Sequence, residues 1–387
     1  MTNQPVVESD RIESLDVLRG FSLLGILLMN IIGFGFVAAA YTVPGLMIED
    51  GADVFAWGVI ELTAEGSMRG LFSILFGAGV ILFLGNKRDG RGWLHVKRTT
   101  WLLLFGFFNG YVLLWTGDIL VTYALAGFLL YFFRNLQGRT LLQLAIGLTV
   151  LITLYNAGSH FGLKHLRANA ETAVALQSTD QPVPEDVAAL AQQWEGFKSE
   201  YAPTNKLIDQ ELSARSGSYE SAFIWTAHHN TVILMSSLWS FLLPDALVMM
   251  ILGMALYKLG VLQGQCAREV YAKMAVAGFA IGFAINGFEV WFAVQSQFDL
   301  IDAFLKLAPT YHLGRMAVTL GWIGLLLWFI KGGWHSLRLA AVGRMALTNY
   351  LMQSLLCMLV FTGAGLGWVG QLQLWQVYGI VLPIWLL

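Results

Sequence analysis

Polar side chains stand where an apolar helix should have none. In "RIESLDVLRGFSLLGILLMNIIGFGFVAAA", Asp16, Arg19 and Asn30 interrupt a run of Leu, Ile, Met, Phe and Gly. At about 100° per residue, Arg19 and Asn30 fall within roughly 20° of one another, and Asp16 within about 60° of both. They make one stripe, which must face other helices or a wet cavity rather than lipid, and such a stripe is a functional-site candidate. In "WGVIELTAEGSMRGLFSILFGAG", Glu61, Glu65 and Arg69 follow at i,i+4 steps, the favourable order for a salt-bridged helix face. That face is either a structural closure of the bundle or a carboxylate tuned by Arg69 to exchange a proton. Asp118, in "WTGDILVTYALAG", reads as a first-turn acid or as a second carboxylate converging with Glu65 and Asn30.

Histidine suits acyl transfer and proton shuttling. His228 and His229 lie together in "SAFIWTAHHNTVILMSSLWSFLL", and His312 opens a later apolar run with Arg315 one turn on. Asp245, behind Pro244, reads as a structural first-turn acid. In "AAVGRMALTNYLMQSLL", Arg344 and Thr348 share one face, and Asn349 and Gln353 another. These groups either bind a phosphate-bearing ligand or join helices. Arg19, Arg98 and Asn109 are expected near that mouth. Cys266 and Cys357 show no metal or redox spacing, and no P-loop, Rossmann, GxSxG or HExxH pattern is present.

The elements that carry these residues are apolar. The chain is 57% hydrophobic and 12% charged, with 14 Trp and a mean hydropathy of +0.63. Soluble domains carry about 25% charged residues, so lipid is the solvent for most of this surface. The net charge of −2 gives no basic field for nucleic acid. The pattern predicts an all-α polytopic transmembrane bundle of about ten spans, near 17–37, 66–85, 99–115, 117–134, 140–161, 244–262, 270–293, 312–331, 341–362 and 374–387. The first is expected to be a retained span rather than a cleaved signal, and 221–243 a re-entrant or interfacial helix. The final span ends without a basic flank, which suggests that the natural protein continues past Leu387.

Lys and Arg gather in the loop 86–98, at Arg134 with Arg139, at Arg268 with Lys273, and at Lys331 with Arg338 and Arg344. Alternating spans put all four clusters on one side, which the positive-inside rule makes cytoplasmic, with both termini. Three regions result: 1–163 with about five spans, an acidic helical extracytoplasmic insert over 164–220, and 221–387 with the interfacial segment and about five spans.

"LDVLRGFSLLGILLMNI", "EGSMRGLFSILFGAG", "GDILVTYALAG" and "VGRMALTNYLMQS" resemble the YeiB family of bacterial inner-membrane proteins, the domain-of-unknown-function 418 type, over nearly the whole chain. The insert is the least family-like part. The first helix is also similar to that of membrane acyltransferases such as heparan-α-glucosaminide N-acetyltransferase, in the pattern Asp16, Arg19, Gly20 and Asn30. Those enzymes carry a His about three turns beyond the Asn. The matching place here is near Tyr41, where no His stands.

The resemblance implies transfer of an acyl group from a cytoplasmic acyl-CoA to a small-molecule, lipid or glycan acceptor reached from outside, without a metal. On that expectation Asn30 orients the carbonyl, and Glu65, Asp118, His228 or His229 is the base. Asp16, Arg19, Arg69, Arg344 and Asn349 bind substrate. The competing expectations are proton-coupled transport or flipping of a small amphiphile, and a non-catalytic scaffold whose Gly and Trp surfaces would serve a homodimer.

Overall fold

The computed structural model describes residues 13–85, 91–303 and 310–387. Residues 86–90 of the basic loop 86–98 therefore lie outside the described residues. Every regular element among those described is helical. They run α1 (Glu13–Gly35), α2 (Gly51–Thr63), α3 (Ser67–Leu84), α4 (Arg91–Tyr111), α5 (Leu120–Phe133), α6 (Gly138–Ser178), α7 (Glu185–Tyr201), α8 (Asn205–Gly217) and α9 (Tyr219–Met235). After them come α10 (Leu243–Lys258), α11 (Arg268–Gln295), α12 (Leu300–Ala303), α13 (Tyr311–Lys331), α14 (Leu337–Arg344), α15 (Ala346–Phe361) and α16 (Leu374–Leu386). The all-α membrane bundle expected from the sequence is the observed class.

Among the described residues, six stretches are long and apolar enough to cross a bilayer: Glu13–Gly35, Gly51–Leu84, Gly138–Ser178, Leu238–Lys258, Arg268–Gln295 and Tyr311–Lys331. The pair α14 and α15, bent by 82°, makes a seventh if taken as one broken span. The other expected spans, 99–115, 117–134 and 374–387, correspond to α4, α5 and α16. The first carries Arg91, Lys97 and Arg98 in its opening two turns, and the other two are short apolar helices.

Among the described residues, the basic clusters lie at one end of the bundle, here the Arg end. The Lys258 ammonium donates to the carbonyls of Arg134 and Leu136, each at 2.6 Å, Arg268 lies on the Trp328 ring at 4.3 Å, and Gly343 packs on the Asp16 carbonyl. The insert occupies the opposite end. It begins as an unbroken continuation of α6, so the boundary at 163/164 falls inside a helix of 41 residues. Arg167 of α6 holds both carboxylate oxygens of Asp299 at 3.0 Å. The buried Arg215 of α8 donates to the carbonyls of Gly33, Phe34 and Phe36 at 2.6–2.9 Å. Those carbonyls end α1 and have no intrahelical partner, so Arg215 is its C-terminal cap.

The segment 221–243 is divided: its part up to Met235 belongs to α9, which lies across the end of α4. Asn230 donates to the Gly110 carbonyl at 2.7 Å, and Tyr219 to that of Val112 at 3.0 Å. A five-residue π-helical turn, Leu238–Leu242, then feeds into α10.

Helices in this core touch backbone to backbone. A Cβ on Gly253 of α10 would run into the Ile74 carbonyl of α3, and one on Gly77 into that of Met250. In lipid such close approach does the work that burial from water does in soluble cores. Gly253→Ala should therefore lower stability by about 1–3 kcal/mol, the usual cost of overpacking. Gly79→Ala, with nothing within 4 Å of the added carbon, should leave it unchanged or slightly raised. Thermal unfolding of both variants in detergent checks the contrast.

Candidate functional site

The site is built around a break in a helix. α2 is started by Asp50, whose carboxylate accepts from the Ala52 and Asp53 amides, and it ends at Thr63. Ala64 to Gly66 turn the chain before α3 begins, with Gly66 left-handed at φ 65°. An i,i+4 stripe needs an unbroken helix, and here the helix is broken. The expected Glu61–Glu65–Arg69 ladder is therefore not formed. Glu61 pairs with Arg315 at 2.7 Å, Arg69 with Asp245 at 3.1 Å, and Glu65 accepts from the Tyr41 hydroxyl at 3.0 Å.

Arg69 gathers one half of the site. Besides Asp245, its guanidinium donates to the Tyr311 hydroxyl at 2.9 Å. The other Asp245 oxygen lies 3.2 Å from His312 Nδ1. His312 is 4% exposed, and its Nε2 is buried with no hydrogen-bond partner among the described residues. Phe241, from the π-helical turn, lies 6.0 Å from Arg69 and 6.2 Å from the His312 ring. Asp245 does stand in the first turn of α10, but it also joins α3 to α13. Its reading as a structural first-turn acid is incomplete.

Arg315 gathers the other half. It is 1% exposed and is met by Glu61, by Glu289 in a short ion pair, and by the Asn286 amide oxygen at 3.1 Å. Its guanidinium also lies 4.7 Å from the centre of the Tyr311 ring, which links the two halves. α11 can bring Glu289 this close because it and α13 approach at Gly278 and Gly324. A Cβ on either would collide with the facing backbone. Glu289 and Arg315 each stand inside an expected span, which was the available signal for this pair. The pairing itself depends on which helices become neighbours.

The other expected site residues divide by position. Asn30 is half-buried and has no hydrogen bond among the described residues. Gly25 of α1 packs on Met68 of antiparallel α3, so Asn30 stands within about a turn of Glu65 in depth. Asp118 accepts from Asn109 at 2.8 Å and from the Val121 amide at 3.0 Å. It caps the start of α5 and takes no part in the Glu65 cluster. Asn109 is thereby fixed at the insert-side end of α4, not at the Arg-end mouth where it was expected. His228 is exposed, and His229 stacks on Trp225 at 4.9 Å, under Arg215. Neither histidine joins Glu65.

At the Arg end, Asp16 and Arg19 pair at 2.9 Å. Arg98 is within electrostatic reach of Arg19. Arg344 is exposed beside the α1–α14 contact, and Asn349 donates to the Val342 carbonyl at 3.1 Å across the α14–α15 bend. The structure thus separates a cationic end from a buried acid–base cluster. Arg19 and Asn30 are about 16 Å apart along α1.

Arg315 with its carboxylates gives a test. Arg315→Met leaves two buried acids without a partner and should cost about 3–5 kcal/mol. Adding Glu61→Gln and Glu289→Gln should restore most of that loss. Melting curves of the single and triple variants check it, and a single variant as stable as the parent would refute the pairing.

The family profile described as "Protein of unknown function (DUF418)" matches residues 256–387. The Escherichia coli (strain K12) protein named "Uncharacterized protein YeiB" is 30% identical over 97% of this chain and 90% of its own. "Uncharacterized protein YxaH" of Bacillus subtilis (strain 168) is 27% identical over 98% of this chain and 88% of its own. The "Uncharacterized 39.9 kDa protein in amylase 3'region" of Bacillus acidopullulyticus is 32% identical over 40% of this chain and 42% of its own. No solved structure matches. At 30% identity across nearly the whole of both chains, with the family profile matching its C-terminal part, the chain belongs to the YeiB family of DUF418 proteins.

Proposed function

We propose that the protein is an inner-membrane acyltransferase, with the Arg end and both termini in the cytoplasm and the insert outside. It would carry an acyl group from a cytoplasmic acyl-CoA to a small-molecule, lipid or glycan acceptor reached from the insert side. The observation that carries this reading is the Asp245–His312 pair. A carboxylate on Nδ1 fixes the imidazole tautomer, and the free Nε2 is then the atom able to take a proton. That arrangement supplies the base that the first helix, with Tyr41 in place of a His, lacks.

In the proposed reaction, the acceptor hydroxyl or amine attacks the thioester carbonyl while Nε2 of His312 takes its proton. The carbon–sulfur bond breaks, and the thiolate leaves with that proton as free thiol. Asn30, at the depth of the cluster and without a partner among the described residues, is suited to hydrogen-bond the carbonyl oxygen as charge develops. Arg69, held by Asp245 and Tyr311, keeps the cluster electrostatically in order. Arg19, Arg98 and Arg344 offer the donor's phosphates charge-assisted contacts at the other end. Asp118, occupied as a helix cap, has no place in this scheme.

A second reading rests on a different observation. Glu61, Glu65, Asp245 and Glu289 converge on the guanidiniums of Arg69 and Arg315. Acids in excess of bases inside a membrane are what a proton-coupled carrier of a small amphiphile uses. In that case uptake driven by a pH gradient would depend on Glu65, and no thioester would be consumed.

The test is thioester consumption by purified protein in liposomes, alongside calorimetric binding of acyl-CoA. His312→Ala and Asp245→Asn should each lower consumption by about 10²–10⁴-fold, the range of general-base catalysis, while binding persists. Arg19→Ala with Arg344→Ala should abolish binding. Full consumption in His312→Ala would remove the proposed base, and absence of binding in the parent would leave the carrier reading in its place.

A further inference from the structure

One polar stripe belongs to neither cluster. Along α6, Thr149, Thr153, Asn156 and His160 recur at helical spacing. They lie on the same face as the buried Leu141 and Ala145, whereas Ile146, Val150, Leu151, Leu154 and Phe161 on the other faces are exposed. α6 is therefore a peripheral helix with apolar residues toward lipid and a polar stripe turned inward. The Thr149 hydroxyl donates to the Ala145 carbonyl at 2.7 Å. Thr153 Oγ1, Asn156 Nδ2 and His160 Nδ1 are buried without a hydrogen-bond partner among the described residues, and Asn156 is 3% exposed. Each such group costs about 1–3 kcal/mol when left unmade. Natural interiors seldom keep several together unless something polar comes to meet them.

The register of α6 on α10 gives the stripe its depth. Gly138, the first residue of α6, packs beside Lys258 and Leu259, whose side chains would lie 3.1–3.2 Å from a Cβ at that position. The two helices run antiparallel from that contact with the same rise of about 1.5 Å per residue. Counting along both sets Asp245 between the levels of Thr149 and Thr153, and the π-helical turn Leu238–Leu242 beside Asn156. π-helical turns concentrate at functional sites, and this one presents Phe241 to His312. Thr310, just before α13, adds a further buried hydroxyl without a partner among the described residues, two positions from His312.

We propose that the seam between α6 and α10 is the lateral path by which the acceptor reaches His312. The acceptor is then a membrane amphiphile of the insert-side leaflet. Its headgroup, bearing a hydroxyl or amine, hydrogen-bonds to Thr153, Asn156 and His160, while its apolar portion remains in the bilayer. This rests on the acyltransferase reading for what happens at His312, but not for the seam's occupancy by an amphiphile.

The experiment separates the two. The parent protein is reconstituted in vesicles of phosphatidylethanolamine and phosphatidylglycerol that include phosphatidylethanolamine with a photoreactive diazirine on its headgroup amine, and adducts are mapped by peptide mass spectrometry. Adducts are expected on the α6 peptide holding Thr153 and Asn156 and on the Leu238–Leu242 turn. Asn156→Leu, or the isosteric Thr153→Val, should reduce them at least tenfold while the melting temperature stays level or rises, because an unmet polar group has been removed. A seam that is merely structural would show the same gain in stability with labelling unchanged, or labelling confined to the outer surface of the bundle, and either result overturns the proposal. Seam labelling in a protein that consumes no thioester would instead retain the seam and discard the acyltransferase.

Discussion

Charge buried in an apolar medium is the constraint on which the rest of this structure depends. Arg315 cannot be solvated where it lies, so Glu61 and Glu289 must reach it from two other helices. Arg69 is under the same obligation toward Asp245 and Tyr311. Between them the two guanidiniums tie α2, α3, α10, α11 and α13 together at one depth. A shift of any of these helices by a turn would leave at least one charge unpaired.

Such convergence is feasible only because the helices can approach closely and because one of them is broken. Glycines at the α3–α10 and α11–α13 contacts remove the side chains that would hold the backbones apart. The break at Ala64–Gly66 separates Glu61, Glu65 and Arg69, which a continuous helix would have spent on one another, and turns them toward three different partners. The same left-handed Gly66 leaves room for the stem of Arg315, since a Cβ there would press on its Cγ. Electrostatics and packing are here one requirement met by the same residues.

How much of this was legible in the sequence follows from the range of each interaction. The membrane class, most of the spanning helices and the single-sided gathering of basic residues are carried by composition and local period, and the bundle has them. The family was legible from short motifs spread along the chain. The i,i+4 ladder at Glu61 failed because periodicity assumes a continuous helix, and nothing local in "ELTAEGSMRG" fixes a left-handed glycine. Asp245 and His312 are 67 positions apart in the chain, so their pairing is a property of helix neighbours that no spacing rule reports. His228 and His229 drew attention by their type, yet aromatic stacking on Trp225 and exposure account for them. Asp118 went the other way: its capping role was written in its position before α5.

The insert bears on the site through α1. Arg215 closes the carbonyls at the end of α1, and Glu211 beside it accepts from the Ala38 amide at 2.8 Å. The chain that leaves this clasp makes a short 3₁₀ turn, Ala38–Tyr41, which ends in the residue whose hydroxyl meets Glu65. The direction in which the chain leaves α1, and with it the position of Tyr41, is therefore set by side chains of the insert. The same helix carries Arg19 near its other terminus and Asn30 between. α1 is thus one rigid rod along which the cationic end, the Asn30 amide and the buried acid–base cluster keep fixed distances, and the insert holds the end of that rod nearest the acids.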